Sequence, residues 1–313
     1  SDDPNAQGGS LTEAPRRRSR RRASSEAGAL SYEAFRTTIA AWAGVAAAFA
    51  PGARVLRPAL AALLFSGALA CSCAAYGLFS LAGRARFLAS AHRGATAVVL
   101  QPNIDQYRKW DASFAGEIRA AFEALLERPV PARALVVWPE SALPGWLDDP
   151  DNAAWMAERA RRAGAPMVVG AVAQTGGKRH NAAVLVTPEG EAAGLYAKRR
   201  LVPFGEFVPR RAVFEPLVGI LAELGDFDAG APEQPLFDTP LGPAAANLCY
   251  EAVFPGLALS DAARGARVLL NLTNDGWYKD TWGPPQHFQT NAFRAVETRT
   301  TVVRAANTGI SGV

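Results

Sequence analysis

Cysteine, histidine and methionine are scarce in this chain: three, three and two among 313 residues. The cysteine count is odd, with Cys71 and Cys73 close together in an apolar stretch and Cys249 alone, so there is no disulfide framework. His92, His180 and His287 are scattered. No Cys/His cluster has the spacing of a zinc site, and no metal is expected. Charge of one sign is not abundant either. The net charge is +4, and much of that excess sits in one short cluster, Arg16, Arg17, Arg18, Arg20, Arg21 and Arg22. No nucleic-acid partner is therefore inferred. Internal repeats are absent. The length suffices for one large α/β domain plus an appendage. Apolar residues make up 49% of the chain, near the globular average, but their distribution is uneven.

Residues 1–36 read as a basic, disordered tail, polar and rich in small residues. Residues 37–90 read as membrane segments. From Pro58 to Gly83 there is no charged residue, and the run includes Leu60, Leu64, Phe65, Leu78, Phe79 and Leu81. As a helix it is long enough to cross a hydrocarbon core of about 30 Å. Because Ala, Gly and Ser dilute it, a buried core helix is the alternative. A shorter apolar piece, Thr37–Ala50, reads as an interfacial helix or a remnant of another span. The Arg cluster, Arg36, Arg54 and Arg57 precede the long run, whereas Arg84, Arg86 and Arg93 follow it. The heavier basic side faces the cytoplasm by the positive-inside rule, which puts everything after the span outside the cytoplasm. The run lies too far from the start to be a cleaved signal peptide.

Residues 95–313 change to an α/β pattern. Strands are expected at Ala95–Gln101, Ala134–Trp138, Pro166–Ala173, Asn181–Thr187, Ala244–Cys249, Val268–Asn271 and Thr301–Ala305. Helices are expected at Ala112–Glu127, Asn152–Ala163, Leu257–Ala263 and Gln286–Arg299. A turn at Pro188-Glu189-Gly190 joins strands, so the sheets should be mixed. Residues 210–240 form a long connection holding Val213, Phe214, Leu217, Val218, Ile220 and Leu221, either a lid or a surface helix.

Three residues at the ends of apolar, strand-like runs carry the chemistry. Glu140 ends Val136-Val137-Trp138-Pro139-Glu140. Lys198 follows Tyr196-Ala197. Cys249 stands in Asn247-Leu248-Cys249-Tyr250-Glu251. A thiol becomes a good nucleophile only as the thiolate. A carboxylate in hydrogen-bond reach can take the proton as general base. Attack on an acyl carbon then places negative charge on oxygen. A lysine ammonium together with the Tyr250 backbone N–H can stabilise it.

The segments around these residues resemble the Glu-Lys-Cys motifs of the nitrilase (carbon–nitrogen hydrolase) superfamily. Within it, Trp138-Pro-Glu-Ser-Ala142, Leu201-Val-Pro-Phe-Gly-Glu-Phe-Val-Pro209 and Cys249-Tyr-Glu251 resemble the apolipoprotein N-acyltransferase family. So do Gln101-Pro-Asn-Ile-Asp-Gln-Tyr-Arg-Lys-Trp110, Asn271-Leu-Thr-Asn-Asp-Gly-Trp277 and Gly283-Pro-Pro-Gln-His-Phe288. The resemblance implies an αββα four-layer sandwich preceded by transmembrane helices. It implies a cofactor-free acyltransferase in the bacterial inner membrane, with its catalytic domain on the periplasmic side. The acyl donor would be a phospholipid and the acceptor the N-terminal amine of a diacylglyceryl-cysteine apolipoprotein, and a monomer is expected. The triad would be Glu140, Lys198 and Cys249. Glu206 matches the family's second glutamate and is expected to position Lys198 or the incoming amine, with Glu251 doing the same from the cysteine loop. Tyr250 would serve the oxyanion, and Trp110 and Trp277 would lie in substrate-binding or lid loops. Asn274, Asp275, Gln286 and His287 are expected to fix loops. The family carries several spans and its domain continues past Val313, so a partial chain is expected, incomplete at the C-terminus. The alternative function is a nitrilase or amidase that hydrolyses a small C–N substrate, which needs neither the apolar span nor the apolar 210–240 connection.

Overall fold

The computed structural model describes residues 56–90, 94–210 and 227–313. The basic tail, the apolar piece Thr37–Ala50, the stretch Val213–Leu221 and the side chain of Trp110 lie outside the described residues. The chain divides into two compact units, residues 1–92 and 93–313.

In the first unit, helix α1 (Leu56–Ser90) contains the uncharged run. Pro58–Gly83 is long and apolar enough to cross a membrane. Its large side chains, among them Leu64, Phe65, Leu78, Phe79 and Leu81, are exposed. This is the pattern of a helix whose apolar surface faces lipid rather than a protein core.

The second unit is built on two sheets. Strands β1 (Thr96–Val99), β2 (Ala134–Val137), β3 (Met167–Thr175), β4 (Lys178–Val186) and β5 (Ala192–Ala197) form a mixed sheet in that order. The first three run parallel, and β4 and β5 are antiparallel additions. Strands β6 (Ala244–Leu248), β7 (Val268–Thr273) and β8 (Thr301–Ala306) form a second, parallel sheet. Helices α2 (Ala115–Leu126) and α3 (Pro150–Ala163) cover the outer face of the first sheet. Helices α4 (Pro255–Ala263) and α5 (Gly283–Thr298) cover the second.

The side-chain alternation of the strands shows why two sheets stack. In β2, Leu135 and Val137 point into a core shared with Leu248, Leu270 and Leu272 of the other sheet. Their neighbours Val136 and Trp138 point the other way, onto Ile118, Phe122 and Met156 of the helices. In β7, Leu269 likewise turns outward to Ala258. Strands buried on both faces need such continuous apolar runs, and each core layer takes every second residue. The result is α, β, β, α in four layers, as expected.

Strand β5 is the strand expected between the Pro188–Gly190 turn and Lys198. Ala192-Ala-Gly-Leu-Tyr-Ala197 is poor in β-branched residues and forms an edge of the sheet. It matters because it delivers Lys198. The hairpin β3–β4 is also longer than expected: its turn is Gly176-Gly177, both at positive φ, the backbone that a two-residue hairpin loop favours.

Trp138, fully buried at the end of β2, stacks on Phe122 with ring centroids 4.4 Å apart and meets Trp155 edge-on at 5.6 Å. The trio clamps the strand end that leads to Glu140. Phe122→Ala should lower the unfolding free energy by about 3–5 kcal/mol, measured by denaturant titration of the detergent-solubilised protein.

Candidate active site

The carboxyl ends of β2, β5 and β6 converge, and each carries one of the three chemistry-bearing residues. Glu140 follows β2 by three residues, Lys198 follows β5 directly, and Cys249 follows β6 directly. All three are buried. Lys198 Nζ lies 3.1 Å from Glu140 Oε1 and 2.8 Å from Glu206 Oε1. Asn181 Nδ2 donates to the same two oxygens, at 2.8 and 2.7 Å. One ammonium and one amide therefore bridge two carboxylates. Glu206 is fixed further by the Val202 N–H, 2.8 Å from its Oε2, and Lys198 by its own N–H, which donates to the Asn181 carbonyl at 2.8 Å.

The electrostatics follow from this packing. Burial alone would depress the Lys198 ammonium, but Glu140, Cys249 and Glu206 outweigh it and hold its pKa above the ordinary lysine value. Cys249 feels the opposite balance. Burial and then the Glu140 charge push its thiol up to about 12, against the pull of Lys198 and a hydrogen bond with Thr273. The thiol is thus held in its protonated form near neutral pH.

Cys249 occupies a left-handed backbone conformation, φ +47°, where a side chain with a Cβ is strained. The turn Cys249–Val253 starts there. Three groups hold it. His287 Nε2 lies 3.0 Å from the Cys249 carbonyl oxygen, and Asn271 Nδ2 donates to the same atom at 3.4 Å. Glu251 accepts from the Leu248 N–H at 2.8 Å and the Tyr196 hydroxyl at 2.7 Å with one oxygen, and from the Arg199 and Arg200 N–H groups with the other. Burial raises the Glu251 carboxyl above the ordinary glutamate range, and these donors restrain the rise. Glu251 thereby ties the lysine strand to the cysteine turn.

Behind the turn lies a buried network. Asp275 accepts from Arg304 Nη2 at 2.7 Å and meets His287 Nδ1 at 2.8 Å. Burial opposes ionisation of Asp275, yet His287 and Arg304 hold its carboxyl below the ordinary aspartate value. Arg304 also donates to Asn271, and Asn274 caps its own turn through the Gly276 N–H. The loop-fixing expectation for Asn274, Asp275 and His287 matches these contacts. Tyr250 packs its ring edge-on against Phe254 at 5.0 Å. Trp277 is exposed in the turn Asp275–Tyr278.

Two site residues escaped the sequence reading. Asn181 was read only as the start of a strand. A polar residue within a buried apolar strand was the available signal. Lys109 lies inside the Gln101–Trp110 motif without having been singled out. It is buried, and its Nζ donates to the Glu140 backbone oxygen at 2.7 Å. Arg199, the basic neighbour of Lys198, is buried and paired with Asp261 at 2.6 Å.

Residues 96–313 match the carbon–nitrogen hydrolase family model, and the chain belongs to that family. Among solved structures, a carbon–nitrogen hydrolase superfamily protein from Xanthomonas campestris shares the fold, with a TM-score of 0.53 at 21% identity, over 69% of this chain and 77% of that one. Within the family, the chain is similar to proteins named apolipoprotein N-acyltransferase. That of Geobacter metallireducens is 40% identical over 222 residues, covering 69% of this chain and 42% of its own length. That of Methylococcus capsulatus is 36% identical over 220 residues, covering 69% and 43%. That of Agrobacterium fabrum is 36% identical over 266 residues, covering 80% and 49%. The chain spans about half the length of the curated relatives it matches.

Gly170 of β3 faces the Glu140 segment so closely that an added Cβ would lie 2.2 Å from the Pro139 oxygen and 2.7 Å from Glu140 Cα. Gly170→Ala should push Glu140 away from Lys198 and cost at least about 100-fold in turnover, measured as kcat of the purified variant. Asp275→Asn strips Arg304 of its buried counter-charge and should destabilise the fold by about 3–5 kcal/mol. Because the folded-state pKa of Asp275 is depressed, its contribution is complete above the unfolded value near 4 and fades as the pH falls below it. The gap between wild type and Asp275→Asn in thermal unfolding should therefore be full at pH 7 and shrink below about pH 4.

Proposed function

We propose that this protein is a membrane-anchored acyltransferase that moves an acyl chain from a phospholipid to the N-terminal amine of a diacylglyceryl-cysteine apolipoprotein. The observation that carries the reading is the buried Glu140–Lys198–Glu206 cluster facing an un-ionised Cys249. The names of the relatives supply the acyl-transfer class, and the apolar α1 supplies a membrane setting. The heavier basic flank before α1 supports a periplasmic catalytic unit in the bacterial inner membrane.

In this scheme Glu140 takes the proton from Cys249 Sγ as the sulfur adds to the ester carbonyl of the phospholipid. The carbonyl electron pair moves to oxygen, where the Lys198 ammonium and the Tyr250 N–H receive the charge. The intermediate collapses, the lysophospholipid oxygen leaves with the proton from Glu140, and a thioester remains on Cys249. The free amine of the acceptor then adds to the thioester, with Glu140 taking a proton again. The amide forms and the Cys249 thiol is restored. Glu206 fixes Lys198 from the side opposite Glu140. Glu251 positions the cysteine turn, and Trp110 and Trp277 sit on loops that would meet the lipid. The protein acts as a monomer.

Intact-protein mass spectrometry of the detergent-solubilised protein after incubation with phospholipid tests this. The expected result is a mass gain of one acyl chain, absent in Cys249→Ala and discharged by a diacylglyceryl-cysteine peptide. Absence of the adduct, with turnover of small amides or nitriles instead, would reject the acyltransferase in favour of a hydrolase.

A further inference from the structure

Lys109 is a buried charge at the site for which the acyl-transfer scheme has no task. It enters from the short turn Arg108–Trp110. Its ammonium makes one hydrogen bond, to the Glu140 backbone oxygen at 2.7 Å. Among the described residues it forms no ion pair. An ammonium has three donors, so two of its N–H groups have no partner among the described residues, in a residue only 4% exposed. Burying an incompletely paired ammonium opposes folding. The buried Lys198 is by contrast fully engaged between two carboxylates.

The charge count explains what such a group could supply. Glu140 and Glu206 are negative and Lys198 is positive, so with a neutral thiol the cluster carries one net negative charge. Moving the thiol proton to Glu140 relocates that charge to sulfur but does not remove it. Adding the thiolate to a carbonyl moves it again, to oxygen. With Lys109 protonated the cluster is neutral at all three stages. Lys109 is placed to act on these species, since both Glu140 and Cys249 interact with its charge. The other ionisable groups near Cys249 are Lys198, Asp275 and Tyr278, with His287 on its carbonyl oxygen.

We propose that Lys109 is a catalytic residue, the second cation of the site, which stabilises the Cys249 thiolate and then donates a free N–H to the anionic oxygen formed at the acyl carbon. The proposal rests on reading Cys249 as the acyl-accepting nucleophile. In this step the S–C bond forms, the carbonyl π pair moves to oxygen and Glu140 holds the sulfur's proton. Lys109 keeps its own proton throughout. Burial pulls the Lys109 pKa down to about 8 against the opposing pull of Glu140 and Cys249, so the charge is present below that pH and fades above it.

A purely architectural Lys109 would only prop the Glu140 carbonyl. Alkylation of Cys249 by iodoacetamide separates the two roles. It is followed by peptide mass spectrometry, with the Cys249 peptide quantified apart from the one holding Cys71 and Cys73. K109M should slow alkylation about tenfold below pH 8, equivalent to a rise of about one pKa unit in the thiol, and the deficit should close above pH 8. K109R, which keeps the charge, should stay within about threefold of wild type. If K109M does not fold, K109Q takes its place. A wild-type alkylation rate in K109M, or K109R as slow as K109M, would overturn the proposal. Because alkylation needs no acyl donor, failure of the phospholipid reading leaves this measurement decisive on its own.

Discussion

The site depends on one interaction, a fully buried lysine held between two carboxylates. Lys198 bonds to Glu140 and Glu206 at 3.1 and 2.8 Å with almost no solvent access. Removing charges from water costs several kcal/mol per ion, and only close pairing with additional hydrogen bonds makes that tolerable. Asn181 supplies those bonds to both acids. Glu140 is thus held next to Cys249 as a positioned carboxylate.

The two sheets exist, for functional purposes, to bring three strand ends together. Glu140 is positioned by the Trp138–Phe122 stack and by the bare Gly170 opposite it. Lys198 is positioned by the edge strand β5 and by Glu251, which holds the next two N–H groups. Cys249 is positioned by a left-handed turn that His287, Asn271 and Glu251 brace. Strain at Cys249 is retained because the surrounding polar network over-determines it. Asp275, Arg304 and His287 form the buried part of that network and meet one another at 2.7–3.2 Å.

The layers were legible in the sequence, and so were Glu140, Lys198 and Cys249 as residues that the fold brings together, because they rest on local signals. Apolar runs such as Ala134–Trp138 and Val268–Asn271 mark strands buried on both faces, and Glu140, Lys198 and Cys249 each end such a run. What was illegible depends on three-dimensional placement. Alanine and glycine blur where β5 begins, and its pairing with β4 sets its bounds. Asn181 looked like one more residue of β4, because its role comes from the two acids that other elements bring to it. Glu251 is expected to position Lys198 or the incoming amine; the hydrogen bonds by which it reaches the lysine strand, to backbone N–H groups and the Tyr196 hydroxyl, come from the folded placement alone. Lys109 read as one basic residue among several in its motif, since burial, not sequence, sets it apart.

The central claim is that Glu140 removes the proton from a thiol that burial keeps un-ionised. The most direct measurement is the pre-steady-state burst of p-nitrophenol when the protein is mixed with a p-nitrophenyl fatty-acyl ester, in wild type and in Glu140→Gln. The account predicts a burst in wild type that matches Cys249 acylation, and an acylation rate constant lower by about 10²–10⁴-fold in Glu140→Gln. A burst of undiminished rate in Glu140→Gln would mean that Cys249 ionises without this carboxylate, and would contradict the account.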